Sequence, residues 1–168
     1  MTVATRFTLL PEAATPMSSN FPQLQKINTA NTPRFVLSFD AATAETAVWS
    51  FNAPQGLSGT WVAVVTFCMA SATSGKVDFT VAVEAITSGD SLNTLTTDSF
   101  DTENAITAPT VPGTAGYPLQ FSCTLTNMDS IAAGDLVRLK LKRDATDGTN
   151  DTATGDCHVL SVELRDGN

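Results

Sequence analysis

The sequence predicts an all-β fold, an antiparallel β-sandwich that a jelly roll of about eight strands fits best, with an extended N-terminal arm. Three observations carry this. Along Lys76–Ile86, Val77, Phe79, Val81, Val83 and Ala85 fall on one side and Lys76, Asp78, Thr80, Ala82 and Glu84 on the other, the period of two of a strand with one buried face. Along Thr60–Ala70, Trp61, Ala63, Val65, Phe67 and Met69 share one side and Val62, Val64 and Cys68 the other, so that strand is apolar on both faces and is covered on both. Turn residues recur at roughly ten-residue intervals with no sustained helical period between them.

Residues 1–33 form one segment and 34–168 the sandwich domain. Pro11, Pro16, Pro22 and Pro33 interrupt the first segment, yet Phe7, Leu9, Leu10, Phe21, Leu24 and Ile27 are scattered through it. A disordered tail is poorer in large apolar residues, so the segment reads as an arm that docks. Fully extended it reaches on the order of 100 Å. Its alternative is to wrap its own domain and cover the second face of strand 60–70.

From Arg34 onward only strands are expected. Phe35, Leu37 and Phe39 alternate in one, and Ala47, Trp49 and Phe51 in the next, before a turn at Ala53-Pro54-Gln55-Gly56. Strands 60–70 and 76–86 then read as a long hairpin turning at Thr73-Ser74-Gly75. Residues 87–116 are rich in loop formers, with a short strand near Ser99–Thr107. Tyr117, Leu119, Phe121, Cys123 and Leu125 give the inward side of a further strand. Met128–Ala133 reads as one helical turn or a tight crossover, closed by Gly134-Asp135. Val137, Leu139 and Leu141 alternate with Arg138, Lys140 and Lys142. After a polar loop, Asp144–Asp156, the last strand alternates on His158, Leu160, Val162 and Leu164.

Composition bounds the function. Nine Lys and Arg stand against 17 Asp and Glu, a formal net charge of −8. Nucleic acid is a poor partner for such a surface, since phosphate binding needs clustered positive charge. Charged residues make up 15% of the chain, below the roughly 25% of soluble domains, as expected where part of the surface is hidden in an assembly. No run is long and apolar enough to span a membrane. The N-terminus lacks the basic start and apolar core of a signal peptide, so the expected product stays in the cytosol or leaves it by lysis. The sequon at Asn150 then marks only an exposed loop. Three cysteines, Cys68, Cys123 and Cys157, are no disulfide framework and no zinc pattern; Cys68 and Cys123 read as small core residues.

Catalytic signatures are lacking. His158 is the single histidine, so a His-rich metal site is excluded, and the residue reads as a hydrogen-bonded histidine at the core's edge. No nucleophile elbow, P-loop or dinucleotide fingerprint occurs. No catalytic residue, metal ligand or cofactor is assigned. The loop holding Asp144, Asp147, Asn150, Asp151 and Asp156 has the oxygen donors calcium uses, but not the order of an EF-hand; the plainer reading is a solvated loop of Asx turns. Arg138, Lys140, Lys142 and Arg143 put four of the nine basic residues within one strand. They read either as a basic patch facing an acidic partner, or as edge protection and pairing with acids on the neighbouring strand.

A family resemblance enters on the run Thr126–Leu139 (TNMDSIAAGDLVRL), Arg143-Asp144, Asp151–Asp156 (DTATGD) and the closing Leu160–Arg165 (LSVELR). Upstream, Phe39–Thr43 (FDAAT), Glu45, Ala47-Val48 and Ala70–Gly75 (ASATSG) fit the same pattern. Over roughly residues 34–166 the chain resembles the β-sandwich module of tailed-bacteriophage virion proteins, capsid decoration (cement) proteins and some tail-fibre modules among them. The resemblance implies a non-enzymatic structural protein, made in the host cytoplasm and carried on the capsid exterior, that binds the major capsid protein as a homotrimer. On that view Phe7, Leu9, Leu10, Phe21, Leu24 and Ile27 contact the shell or a neighbouring protomer, and binding only the mature shell stabilises it.

A tail-fibre or receptor-binding module contacting host-surface glycan is the alternative. It needs exposed aromatics, for which the sequence offers Trp49, Trp61 and Tyr117. A carbohydrate-active enzyme would need a pair of acids in a cleft, with Asp90, Asp98 and Asp101 as candidates.

Overall fold

A computed structural model describes residues 5–56, 59–90 and 96–167. Two antiparallel sheets face each other. The first runs β3 (Gln23–Ile27), β4 (Arg34–Phe39), β11 (Cys157–Asp166), β6 (Trp61–Met69), β9 (Leu119–Leu125), and β1 (Thr5–Leu9) pairs with the second half of β11. The second runs β2 (Thr15–Pro16), β5 (Glu45–Asn52), β10 (Leu136–Arg143), β7 (Phe79–Ile86), β8 (Asn104–Ala105). One 3-10 turn, Pro11–Ala13, is the sole helical element among the described residues. The eight strands expected after Arg34 are all present; β1, β2 and β3 come from the N-terminal segment.

The alternation of apolar residues explains the core. Val77, Phe79, Val81, Val83 and Ala85 are all buried, as are Val137, Leu139 and Leu141 of β10. From the first sheet Trp61, Ala63, Val65, Phe67 and Met69 meet them. Phe79 ties the layers together: its ring lies 5.7 Å from Phe39, 6.2 Å from Phe67 and 5.3 Å from Phe121, all in the opposite sheet. Each such ring pair adds about 0.5–1.5 kcal/mol to the burial of its area. A second aromatic group joins Phe51 of β5 to Phe7 at 4.7 Å and to Trp61 at 6.2 Å.

Three local expectations are corrected, and one left open between two forms is settled. Strands 60–70 and 76–86 are not a hairpin: β6 pairs with β11 and β9, β7 with β10 and β8, and residues between them cross from one sheet to the other. β6 has a partner on each edge, and Val64 and Cys68 on its outer face are 5% and 8% exposed; the N-terminal segment, offered as a cover for that face, is instead paired edge-on in the two sheets. The crossover bends at Gly75, whose φ of +94° only glycine adopts freely. Met128–Ala133 is the tight crossover rather than a helical turn, with Asp129 and Ser130 at φ +51° and +53°. Asp129 is held in that geometry locally, its carboxylate accepting the Ala85 N–H at 2.9 Å.

The last strand carries a β-bulge between Val159 and Ser161. One extra residue shifts the phase. Cys157 and Val159 point inward before it, Val162 and Leu164 after it, all fully buried. His158, placed inward by strict alternation, therefore lies on the outer face of the first sheet, directly across from Ser38 and Cys68. Tyr117, also expected inward, precedes β9 and is 63% exposed.

Candidate functional site

The N-terminal segment is laid edge-on along its own domain. Thr5 to Leu9 pair with Arg165 to Val162, Gln23 to Ile27 with Ser38 to Arg34, and Thr15-Pro16 with Val48-Ala47. Phe7 is half-buried against Phe51 and Trp61, and Leu9 is 8% exposed in the core. These two are committed to the chain's own interior and are not free for another surface. Leu10 and Leu24 are each 51% exposed. The carbonyl of Leu10 accepts the Trp49 indole N–H at 2.9 Å, which locks the segment to the sandwich. Phe21 and Leu24 line a cleft of about 320 Å³ with Pro11, Pro16 and Leu37. Ile27 lies elsewhere, on the outer face of the first sheet.

The basic strand is neutralised where it stands. Arg138 pairs with the buried Glu84 at 2.7 Å and with Asp98, Lys140 with Glu103 at 3.1 Å, and Lys142 with Asp144 at 2.8 Å. Arg138 and Lys140 also lie over the Phe100 ring at 5.1 and 5.0 Å. Arg143 continues the inward phase of β10 and is fully buried. It donates to both oxygens of Asp151 at 2.9 and 2.8 Å, and to the carbonyls of Phe39, Gly155 and Ala153. The four residues are thus no basic patch; the pairing of β10 with β7 sets the outward cations against acids on and beyond the neighbouring strand.

The acidic loop is held by its own carboxylates. Asp151 serves Arg143, and also accepts the Asp78 N–H at 3.0 Å. Asp147 caps the N–H groups of Thr149 and Asn150, and the Asn150 side chain donates to it too, which draws its carboxyl below the usual range. Among the described residues no three His, Cys, Asp or Glu side chains converge as a metal cluster. Of the acids considered for catalysis, Asp98 pairs with Arg138, and Asp101 accepts the N–H groups of Asp129 and Thr102. Burial pushes the Cys123 thiol up to about 11, as befits a core cysteine rather than a nucleophile.

A larger groove, about 610 Å³, crosses the outer face of the first sheet. Its walls come from β3, β4, β11 and β6 and from the loop before β9. Val36, Cys68 and Leu160 give it an apolar floor, and Arg34 and His158 its charged and titratable groups. Burial lowers the pKa of His158, opposed by the nearby Asp156 carboxylate, so the ring is neutral at pH 7. Beside it the Ser38 hydroxyl, on a residue 4% exposed, has no hydrogen-bond partner. Gly116 and Pro118 close one side, and a 2.9 Å bond from the Gly116 N–H to the Met69 carbonyl pins that loop to the end of β6. Tyr117, between them, is the most exposed large apolar residue of the chain as described. Trp49 and Trp61 are each 1% exposed and offer no platform.

Sequence reasoning missed this groove because the bulge that turns His158 outward leaves no mark in the residue pattern. Similarity to solved structures bears on the fold. No protein-family model matches the chain, and no curated protein matches it in sequence. A family 35 carbohydrate-binding module from Clostridium thermocellum superposes with a TM-score of 0.56 at 11% identity, over 99% of this chain and 100% of that one. A family 35 module from an environmental isolate gives 0.53 at 16% identity, over 96% and 93%. The CBM22-1–GH10 modules of a Clostridium thermocellum endo-1,4-β-D-xylanase, solved with xylohexaose, give 0.52 at 13% identity, over 99% of this chain and 28% of that one. What is shared is the sandwich. At such identities the likeness is one of fold alone, shared with carbohydrate-binding modules.

Proposed function

We propose that the protein is a non-catalytic glycan-binding module whose site is the groove on the outer face of the first sheet. The observation that carries this reading is Tyr117, 63% exposed on a loop whose neighbours Gly116 and Pro118 line the groove. A pyranose ring presents an apolar C–H face, and an exposed aromatic next to an apolar floor with a few polar groups is what such a ring requires. The fold shared with carbohydrate-binding modules supports the same reading. Combined with the motif resemblance, it makes the chain a receptor-binding module of a tailed phage, on a tail appendage and contacting host-surface glycan. A homotrimer would multiply weak single-site affinity by avidity.

The capsid-decoration reading loses the contact surface it named. It came from the motif resemblance, and the arm it offered as the contact is instead paired, as β1, β2 and β3, with the chain's own sheets.

The experiment is retention of the protein on an immobilised panel of neutral and acidic glycans, followed by titration of the retained ones. Binding in the micromolar to millimolar range, unchanged glycan afterwards, and loss of binding in Tyr117→Ala support the reading. No retention on any glycan, together with binding to phage capsids, overturns it in favour of decoration.

A further inference from the structure

Given the glycan-binding reading, on which it rests, a preference among sugars can be read from the charges around the groove. The chain has 17 acidic residues and a net charge of −8, yet among the described residues no Asp or Glu lines this groove, Asp156 acting on His158 from beside it. Arg34 does line it. The other four arginines are neutralised, Arg6 by Asp166, Arg138 by Glu84 and Asp98, Arg143 by Asp151 and Arg165 by Glu163. Among the described residues Arg34 has no ion-pair partner. A guanidinium presents a planar fork of donors that matches a carboxylate in two parallel hydrogen bonds.

We propose that the groove selects an acidic sugar, with the sugar carboxylate held by Arg34 and the pyranose face laid against Tyr117. The apolar floor at Val36 and Leu160 takes the ring's C–H groups, while His158 offers a hydrogen bond to its hydroxyls. Discrimination between acidic and neutral sugars comes from Arg34, and general sugar affinity from Tyr117. The two residues therefore separate in their effects.

The test uses galacturonic-acid oligomers and sialyl-lactose, each beside its methyl ester, titrated into the full-length protein. At least one acid is expected to bind about ten-fold or more tightly than its ester, with affinity falling as salt rises. Arg34→Ala should erase that preference and leave ester binding unchanged, with Arg34→Lys intermediate; Tyr117→Ala should weaken acid and ester alike. Equal binding of acid and ester, or an acid preference that survives in Arg34→Ala, overturns the proposal while leaving glycan binding standing. Failure to bind these probes while a neutral glycan of the panel is retained does the same. Failure to bind any glycan at all overturns both readings. Arg34 is exposed, so the variant should fold, and the salt dependence of the unaltered protein gives a check that needs no variant.

Discussion

Arg143 on β10 and Asp151 in the adjoining loop form a two-bonded ion pair, 2.9 and 2.8 Å long, with neither side chain more than 1% exposed. The guanidinium also gathers three carbonyls from the end of β4 and the 151–156 loop, so one side chain fastens that loop across both sheets. Asp151→Ala leaves a buried cation unpaired and should cost about 3–5 kcal/mol in urea unfolding. Replacing both partners by apolar residues should recover only part of this, because the three carbonyls stay unsatisfied.

Gly75 is expected to tolerate no side chain. A Cβ there would lie 2.8 Å from the Thr152 carbonyl oxygen and the Ala153 nitrogen, both backbone atoms, at a φ of +94°. The left-handed conformation alone costs an L-residue about 1–2 kcal/mol, and the contact adds to it. Gly75→Ala should lower the melting temperature by several degrees or more, whereas Gly148→Ala, with open space around it, should change it little.

The N-terminal segment yields a paired prediction. Leu9→Ala, at an 8% exposed core position, should destabilise the protein by about 2–4 kcal/mol. Leu10→Ala, at a position 51% exposed whose bond to Trp49 uses only its carbonyl, should stay within about 0.5 kcal/mol. Equal effects in chemical denaturation would contradict the edge-on placement of the segment.

His158 sets a pH dependence of stability. Burial lowers its pKa below the ordinary value of about 6.5, with Asp156 acting the other way. The unfolded chain then binds the proton more tightly than the folded one. The contribution is fully present above about pH 6.5 and is lost as pH falls through the lowered pKa. His158→Gln should unfold with a shallower loss of stability across that interval than the unaltered protein. The difference between the two curves is the quantity to measure, since Glu45 and Asp78, both raised by burial, titrate in either protein.

Much of the sandwich was legible because its information is local. The alternation at Val77–Ala85 and Val137–Leu141 named the buried side chains. The partners were not legible. Which sheet β6 or β7 joins depends on residues tens of positions away, so two neighbouring strands read as a hairpin. The candidate site was hidden for a related reason. Leu160 is an ordinary apolar residue, and nothing in its identity announces the bulge that turns His158 to the groove. Tyr117 fitted an inward alternation in sequence, but the turn at Gly116 with φ +79° ends that phase before β9 begins. Arg143 was visible as an anomaly of charge, and its buried partner eight residues on was not.

The position of β11 has a consequence for synthesis. This strand lies between β4 and β6 and also carries β1, yet it is the last of the eleven to leave the ribosome. Until residues 157–166 emerge, those three strands lack their shared neighbour and their edges stay open to other chains. Folding of the first sheet is therefore deferred until these residues have been made, and a chain cut short before them becomes a substrate for chaperones or proteases rather than a smaller working module.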